Sequence, residues 1–248
     1  MFEFKLGTHV LSHIDKTDVP LFISFRQLRK RKRKKFDQKG TICVDSGGFS
    51  ELSLYGRWTI DEKTYIDELK RLESLNLEFE WVAQQDLMCE PIMLEKTGLS
   101  IEDHQNKTVE NFETLRSLEH DFHVIPVLQG QTLQDYFNCF EKFEAKGFDL
   151  RSEKVVGVGS VCRRERTDEI SYIMKCLHAK GLKLHGFGVK AQGLKKYSQF
   201  LQSSDSLAWS FGARYKPPCD ECFSRSVKNC ANCLNYALEW RKGVLSNA

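Results

Sequence analysis

Short runs of apolar, β-branched and aromatic residues recur along the chain, and in its later part they alternate with segments whose apolar residues stand three or four apart. The runs fall at residues 9–14, 21–25, 41–44, 80–83, 122–128, 155–158, 182–187 and 206–209. Their length and composition are those of buried strands. Helical spacing is carried by Ile66, Leu69, Leu72 and Leu75, by Val109, Phe112, Leu115 and Leu118, by Tyr136, Phe137, Phe140 and Phe143, and by Ile170, Ile173, Met174 and Leu177. Each set forms a stripe suited to covering a sheet. Eight strands separated mostly by helices predict an α/β fold, a parallel (β/α)8 TIM-like barrel, with an open doubly wound sheet as the alternative. The segment between the first two strands, residues 15–20, is too short for a helix.

In such a barrel the chemistry belongs at the carboxyl ends of the strands. The unusual residues sit there: Asp45, Gln84-Gln85-Asp86, Gln129-Gly130, Gly157-Val158-Gly159-Ser160 and Gly186-Phe187-Gly188, with Asp205 just before the last run. After the run Ile42-Cys43-Val44 come Asp45, Ser46, Gly47, Gly48 and Phe49. Two glycines let a flat ligand lie against the backbone, with a carboxylate at its edge and an aromatic ring to stack on it. Taken alone, the stretch also reads as a tight turn whose Asp caps the next helix. A carboxylate such as Asp86 beside a carboxamide such as Gln129 recognises an amidine-like edge of the kind guanine and deazaguanines present. The glycines fit neither a Rossmann fingerprint nor a Walker loop, so nucleotide-cofactor binding has little support.

At 248 residues the chain can bury a large core. Its net charge is only +3, yet eight of the ten residues at 26–35 are basic, Arg29, Lys30, Arg31, Lys32 and Arg33 among them. A polyanion is the natural partner of such a run. No leader-like segment or long apolar stretch is visible, so a soluble, intracellular protein without a membrane partner is expected. Of nine cysteines, four form Cys219-x2-Cys222-x7-Cys230-x2-Cys233. In a reducing compartment this spacing reads as a four-thiolate zinc site, and with all four positions filled by sulfur the zinc is structural; a disulfide pair is the competing reading.

These blocks together resemble the tRNA-guanine transglycosylase superfamily. Val44 to Phe49 look like its Asp-Ser-Gly-Gly-aromatic signature, Val127 to Gly130 like its Gln-Gly strand end, and Val156 to Ser160 with His185 to Gly188 like its two glycine-bearing strand ends. The cysteine cluster takes the place of its zinc site, and the likeness runs in order from roughly residue 40 to 235. Those tRNA enzymes are longer and hold zinc with three cysteines and a histidine. Their Asp-x-x-Asp-Cys nucleophile block reads here Asp205-Ser206-Leu207-Ala208-Trp209, so Ala208 stands at the second Asp. Asp-Ser-x-Ala-Trp-Ser is more similar to the deazapurine DNA-modification branch, the DpdA-type transglycosylases of phages and bacterial genomic islands.

The resemblance implies exchange of guanine in double-stranded DNA for a free 7-deazaguanine such as preQ0, in the cytoplasm of a bacterium or a phage-infected host. Asp205 would be the nucleophile and Asp45 would manage protons. Asp86 and Gln129 would read the base edge, and Phe49 with His185 would sandwich it. Ser46, Gly47, Gly48, Gly159, Ser160 and Gly186 would line the site, and the basic run would hold phosphates. The expected organisation is a barrel over 1–215 and a zinc segment over 216–248, with a second copy as a candidate partner. A compact tRNA enzyme and a catalytically inactive nucleic-acid-binding barrel are the alternatives.

Overall fold

A computed structural model describes residues 2–32, 34–164 and 166–246. The chain enters on β1 (Glu3–Gly7), not at 9–14 as the apolar pattern suggests; that stretch holds only a 3-10 turn, Leu11–His13. Polar residues alternate with apolar ones in β1. Phe4 and Leu6 join the core beneath the helices, while Lys5, 1% exposed, reaches Glu3 at 2.5 Å and Glu80 at 2.7 Å. A buried ammonium is tolerated because two carboxylates meet it.

The elements that follow are β2 (Leu21–Ser24), α1 (Phe25–Leu28), β3 (Ile42–Asp45), α2 (Gly48–Tyr55), α3 (Glu62–Glu73), β4 (Phe79–Ala83), α4 (Pro91–Thr97), α5 (Ile101–Ser117), β5 (Val124–Ile125), β6 (Val127–Leu128) and α6 (Leu133–Ala145). Then come β7 (Val156–Val158), α7 (Asp168–Ala179), β8 (Leu184–Gly186), α8 (Ala191–Tyr197), β9 (Leu201–Ser206), α9 (Ala208–Ala213), α10 (Asp220–Ser224) and α11 (Leu234–Leu245). The four helical stripes correspond to α3, α5, α6 and α7. Polar caps start them: the Asp61 carboxylate accepts from Thr64 N–H at α3, and Ser100/Asp103 and Thr132/Asp135 form capping boxes at α5 and α6.

Every strand pairing is parallel, in the order β5-β4-β3-β2-β1-β9-β8-β7-β6. Only Pro126, which has no N–H to give, separates β5 from β6. The two are halves of one kinked strand, and the nine segments fill eight positions around a barrel. The last strand contains Asp205 instead of following it: β9 ends at Ser206, and Trp209 lies on α9. Inside the barrel are Phe22, Cys43, Trp81, Ala83, Ile125, Val127 and Val155; outside, a larger apolar layer joins strands to helices. No long helix follows β1. Instead α11 covers it, Trp240 packing 5.9 Å from Phe4 and Arg241 Nε donating to the Phe4 carbonyl at 3.0 Å. Among the described residues no helix is long and apolar enough to cross a membrane.

Candidate active site

At the carboxyl ends of the strands lies a cavity of about 800 Å3, lined by Asp45, Ser46, Phe49, Asp86, Gln129, Gly159, Ser160 and Asp205. Residues from five separate strand ends thus converge on one mouth. Its first wall follows β3, where the chain must turn directly into α2. Gly47 makes that turn at φ 85°, and a Cβ there would stand 2.9 Å from Arg26 Cγ. The turn points the Gly47 N–H, with the Ser24 hydroxyl, at the Asp45 carboxylate. Burial and the nearby Asp205 charge outweigh these donors and raise the Asp45 pKa to about 6. Gly48 packs close to Met88 and Trp58, and Phe49, 43% exposed, stands at the rim with the Arg163 guanidinium 5.1 Å from its ring.

The second wall is a chain of buried polar groups. Ser46 Oγ donates to Asp86 Oδ1 at 3.2 Å, Gln129 Nε2 donates to Asp86 Oδ2, and Ser160 Oγ donates to Gln129 Oε1 at 2.7 Å. Ser160 is itself held at φ 57° by the Cys89 N–H, which donates to its Oγ at 2.8 Å. Burial, then repulsion from Asp45, raises the Asp86 pKa to about 7. Gly159 lies under the Gln129 amide: a Cβ there would meet Nε2 at 2.1 Å and Cδ at 2.7 Å. The glycine is what lets the amide lie flat against the strand end.

Asp205 forms the third wall. Its Oδ1 accepts from the Gly188 N–H at 2.9 Å and stands 3.4 Å from His185 Nε2. His185 does not reach the cavity as the sandwich role requires. It is fully buried beneath the floor, 5.4 Å from Phe22, 4.8 Å from Trp81 and 4.8 Å from Phe187. Its Nδ1 lies 2.8 Å from Ser203 Oγ, and burial keeps the ring neutral. A tautomer that accepts from Ser203 at Nδ1 carries its proton on Nε2, which makes no hydrogen bond among the described residues and has Asp205 Oδ1 at 3.4 Å. His185 thus packs behind Asp205, and Phe22 and Phe187 line the cavity in its place. Gly186 also lies behind the wall, against Val189 and Leu201.

Sequence reasoning missed Glu90, which lines the cavity, has its Oε2 3.1 Å from Ser160 Oγ and has its pKa raised by burial. It also missed a cationic groove of about 560 Å3 that adjoins the cavity and shares Cys162, Lys190 and Ala208 with it. Arg163, Arg166 and Lys190 line this groove. Arg163 and Arg166 belong to the short basic cluster 163–166 after β7, and Lys190 follows β8; that cluster is a sequence signal passed over beside the longer run at 26–35. The conspicuous basic run behaves differently. Arg26 begins it at the mouth, ion-paired with Glu51 of α2. Lys30 then donates to Gln27 at 2.9 Å, Arg31 stacks 4.4 Å over Phe36, and the Phe36 N–H reaches Leu75 beyond the far end of α3. Arg29, Lys30, Arg31 and Lys32 therefore descend the flank of the barrel, and Arg33 lies outside the described residues.

The sulfurs of Cys219, Cys222, Cys230 and Cys233 lie within 4.8 Å of one another, and all four are free thiols. A tetrahedral metal with sulfur at about 2.3 Å brings its ligands to about 3.8 Å apart, so the cluster fits a metal with little movement. It packs against Ala213 of α9, and Ser210 Oγ donates to the Ala231 carbonyl at 2.8 Å. The cluster fastens α9 to the mouth.

The family model described as DpdA, DeoxyPurine in DNA protein A, matches residues 1–248. Among solved structures, a Sinorhizobium meliloti protein crystallised in an open-loop conformation aligns at 10% identity with a TM-score of 0.39, over 82% of this chain and 49% of its own. The chain thus spans about half the length of that protein. The curated proteins give no match.

Proposed function

The chain belongs to the DpdA family, DeoxyPurine in DNA protein A, and on that premise we propose that it is a DNA-guanine transglycosylase that exchanges guanine for a free 7-deazaguanine such as preQ0. The observation that carries this reading is the pairing of two carboxylates, Asp45 and Asp205, in one cavity. Asp205 is held by a backbone N–H and faces His185, and Asp45 is raised to about 6. One serves as nucleophile and the other as acid and base.

In the first half-reaction an Asp205 oxygen bonds to C1′ of the extruded nucleotide as the C1′–N9 bond breaks. The transition state is oxocarbenium-like, and protonated Asp45 delivers its proton to the departing guanine. In the second, Asp45 takes the N9 proton of the incoming base, whose nitrogen displaces Asp205 from C1′. One glycosidic bond is made for each one broken, so no ATP is consumed. Asp86 accepts from the N–H groups of the base edge, and the Gln129 amide, fixed by Ser160, presents the adjoining contact. Arg163, Arg166 and Lys190 supply a phosphate-binding rim beside the cavity. The four cysteines hold zinc, which supplies no chemistry at C1′ and fixes the segment that carries α9.

The test is incubation with labelled preQ0 and, separately, duplex DNA and bulk tRNA. Label in DNA, with a covalent adduct lost in Asp205→Ala, is the expected result. Label in tRNA alone overturns the substrate, and label in neither overturns the activity.

A further inference from the structure

Helix α9 is short and amphipathic in an unusual direction. Its inner face is fully engaged: Trp209 Nε1 donates to the Gly7 carbonyl at 2.7 Å, Ser210 bonds Ala231, and Ala213 packs on Cys222 and Cys230. Its outer face and the residues flanking its ends carry large apolar side chains into solvent, Leu207 42% exposed before it, Phe211 62% on it and Tyr215 76% after it. Phe211 and Tyr215 meet edge to face at 5.3 Å, so the two rings brace each other. Leu207, Phe211 and Arg214 also line the mouth of the cavity. Three neighbouring exposed apolar groups at a cavity mouth are a recognition feature, unlike a lone surface leucine.

Their surroundings indicate what they meet. Arg163, Arg166, Lys190, Arg214 and Lys216 have no carboxylate within ion-pair distance among the described residues. An apolar ridge with uncompensated cations around it suits a stacked polyanion better than another protein surface. The cavity is of small-molecule size and admits one extruded nucleoside, not a base pair within its stack. Extrusion leaves a gap in the duplex beside this ridge.

We propose that Phe211, braced by Tyr215 and flanked by Leu207, is a wedge that enters the DNA base stack and fills the space vacated by the extruded guanine. This rests on the reading of the cavity as a site for a base taken from duplex DNA. Zinc enters indirectly, since the four-cysteine cluster holds the inner face of the helix that bears the wedge.

The experiment compares full-length wild type, Phe211→Ala and Phe211→Leu on the same DNA as duplex and as separated strands, reading labelled preQ0 incorporation. A second readout is the fluorescence of duplexes carrying 2-aminopurine, which brightens when a neighbouring base is unstacked. Loss of one stacking ring predicts a roughly 10- to 100-fold fall in the duplex-to-single-strand ratio for Phe211→Ala. Phe211→Leu restores much of it, and the 2-aminopurine signal of wild type is lost in the Ala variant. Equal ratios in all three proteins overturn the wedge while leaving exchange intact. If no polymer takes up label, exchange itself has failed. The wedge then stands on brightening by wild type and not by Phe211→Ala, and absence of brightening by wild type overturns it.

Discussion

Replacing Gly159 with Ala tests the buried polar wall. Gly159 is not at positive φ, so alanine strains no backbone, and the whole effect comes from the added carbon. That carbon would stand 2.1 Å from Gln129 Nε2 and 2.9 Å from Oε1. A free amide at the end of a flexible side chain would swing aside at little cost. Gln129 is 0% exposed, donates to Asp86 at one end and accepts from Ser160 at 2.7 Å at the other, so moving it breaks both bonds inside the protein. One buried group left unpaired at each of the two broken bonds costs about 1–3 kcal/mol, which sums to about 2–6 kcal/mol. For a domain of this size, at about 2–4 °C per kcal/mol, the thermal midpoint falls by about 4–24 °C. Exchange falls at least about 10-fold, because Asp86 loses its partner as the base edge loses its reader. Gly243→Ala, in α11 with nothing within 4 Å of the new carbon, is the control, expected to gain up to about 1 kcal/mol. A Gly159→Ala protein with the wild-type midpoint and exchange rate would refute the claim that this amide is pinned.

Further outcomes follow from other parts of the site. The folded pKa of Asp45, about 6 against an ordinary 3.8, means that folding favours its protonated form. Stability tied to that proton is present at pH 4 and lost as pH rises to 6. Asp45→Asn should therefore match wild type near pH 4, melt higher at pH 7.5 and form no adduct with DNA; equal melting at both pH values would contradict the burial of its charge. Adduct formation by wild type should decline above about pH 6 as Asp45 loses its proton. Metal analysis should find one zinc per chain, and chelation should lower the midpoint and abolish exchange; metal-free protein that is fully stable and active would remove the cysteines from the account. Arg166→Gln and Lys190→Gln should each reduce the slope of log affinity against log salt by about 1, whereas Lys32→Gln, on the flank, should change it little.

The part of the fold that was legible in the sequence is the part built on apolar contrast. The stripes of α3, α5, α6 and α7 and the run into Asp45 are burial patterns, and burial is what hydrophobicity reports. Two strands were misplaced for the opposite reason. In β1, Lys5 occupies an interior position because Glu3 and Glu80 neutralise it, and a sequence reader takes such charges for solvent. In β9, Ser203, Ser204 and Asp205 are buried because they bond His185, Val189 and Gly188, so the polar stretch reads as a loop and the apolar Trp209 draws the strand past its end. Both strands are polar because their buried polar groups find partners inside the protein, and that polarity hid them.

The same logic separates the site residues that sequence could find from those it could not. Asp45, Asp86 and Gln129 follow apolar runs, and their contrast with those runs marks strand ends at the mouth. His185 also follows such a run, but it is the middle residue of β8 and turns inward, so only the structure distinguishes a stacking surface from a ring packed behind the wall. The cations of the rim come from two loops, Arg163 and Arg166 from the one after β7 and Lys190 from the one after β8, which meet only when the barrel closes. The contiguous basic run is the stronger sequence signal, but Arg29 to Lys32 do not line the cavity or its adjoining groove. A run of adjacent charges in extended chain spreads over tens of ångströms, whereas a phosphate rim needs charges gathered around one opening. In a (β/α)8 barrel that gathering is the task of loops after different strands, here the basic cluster 163–166 after β7 and Lys190 after β8.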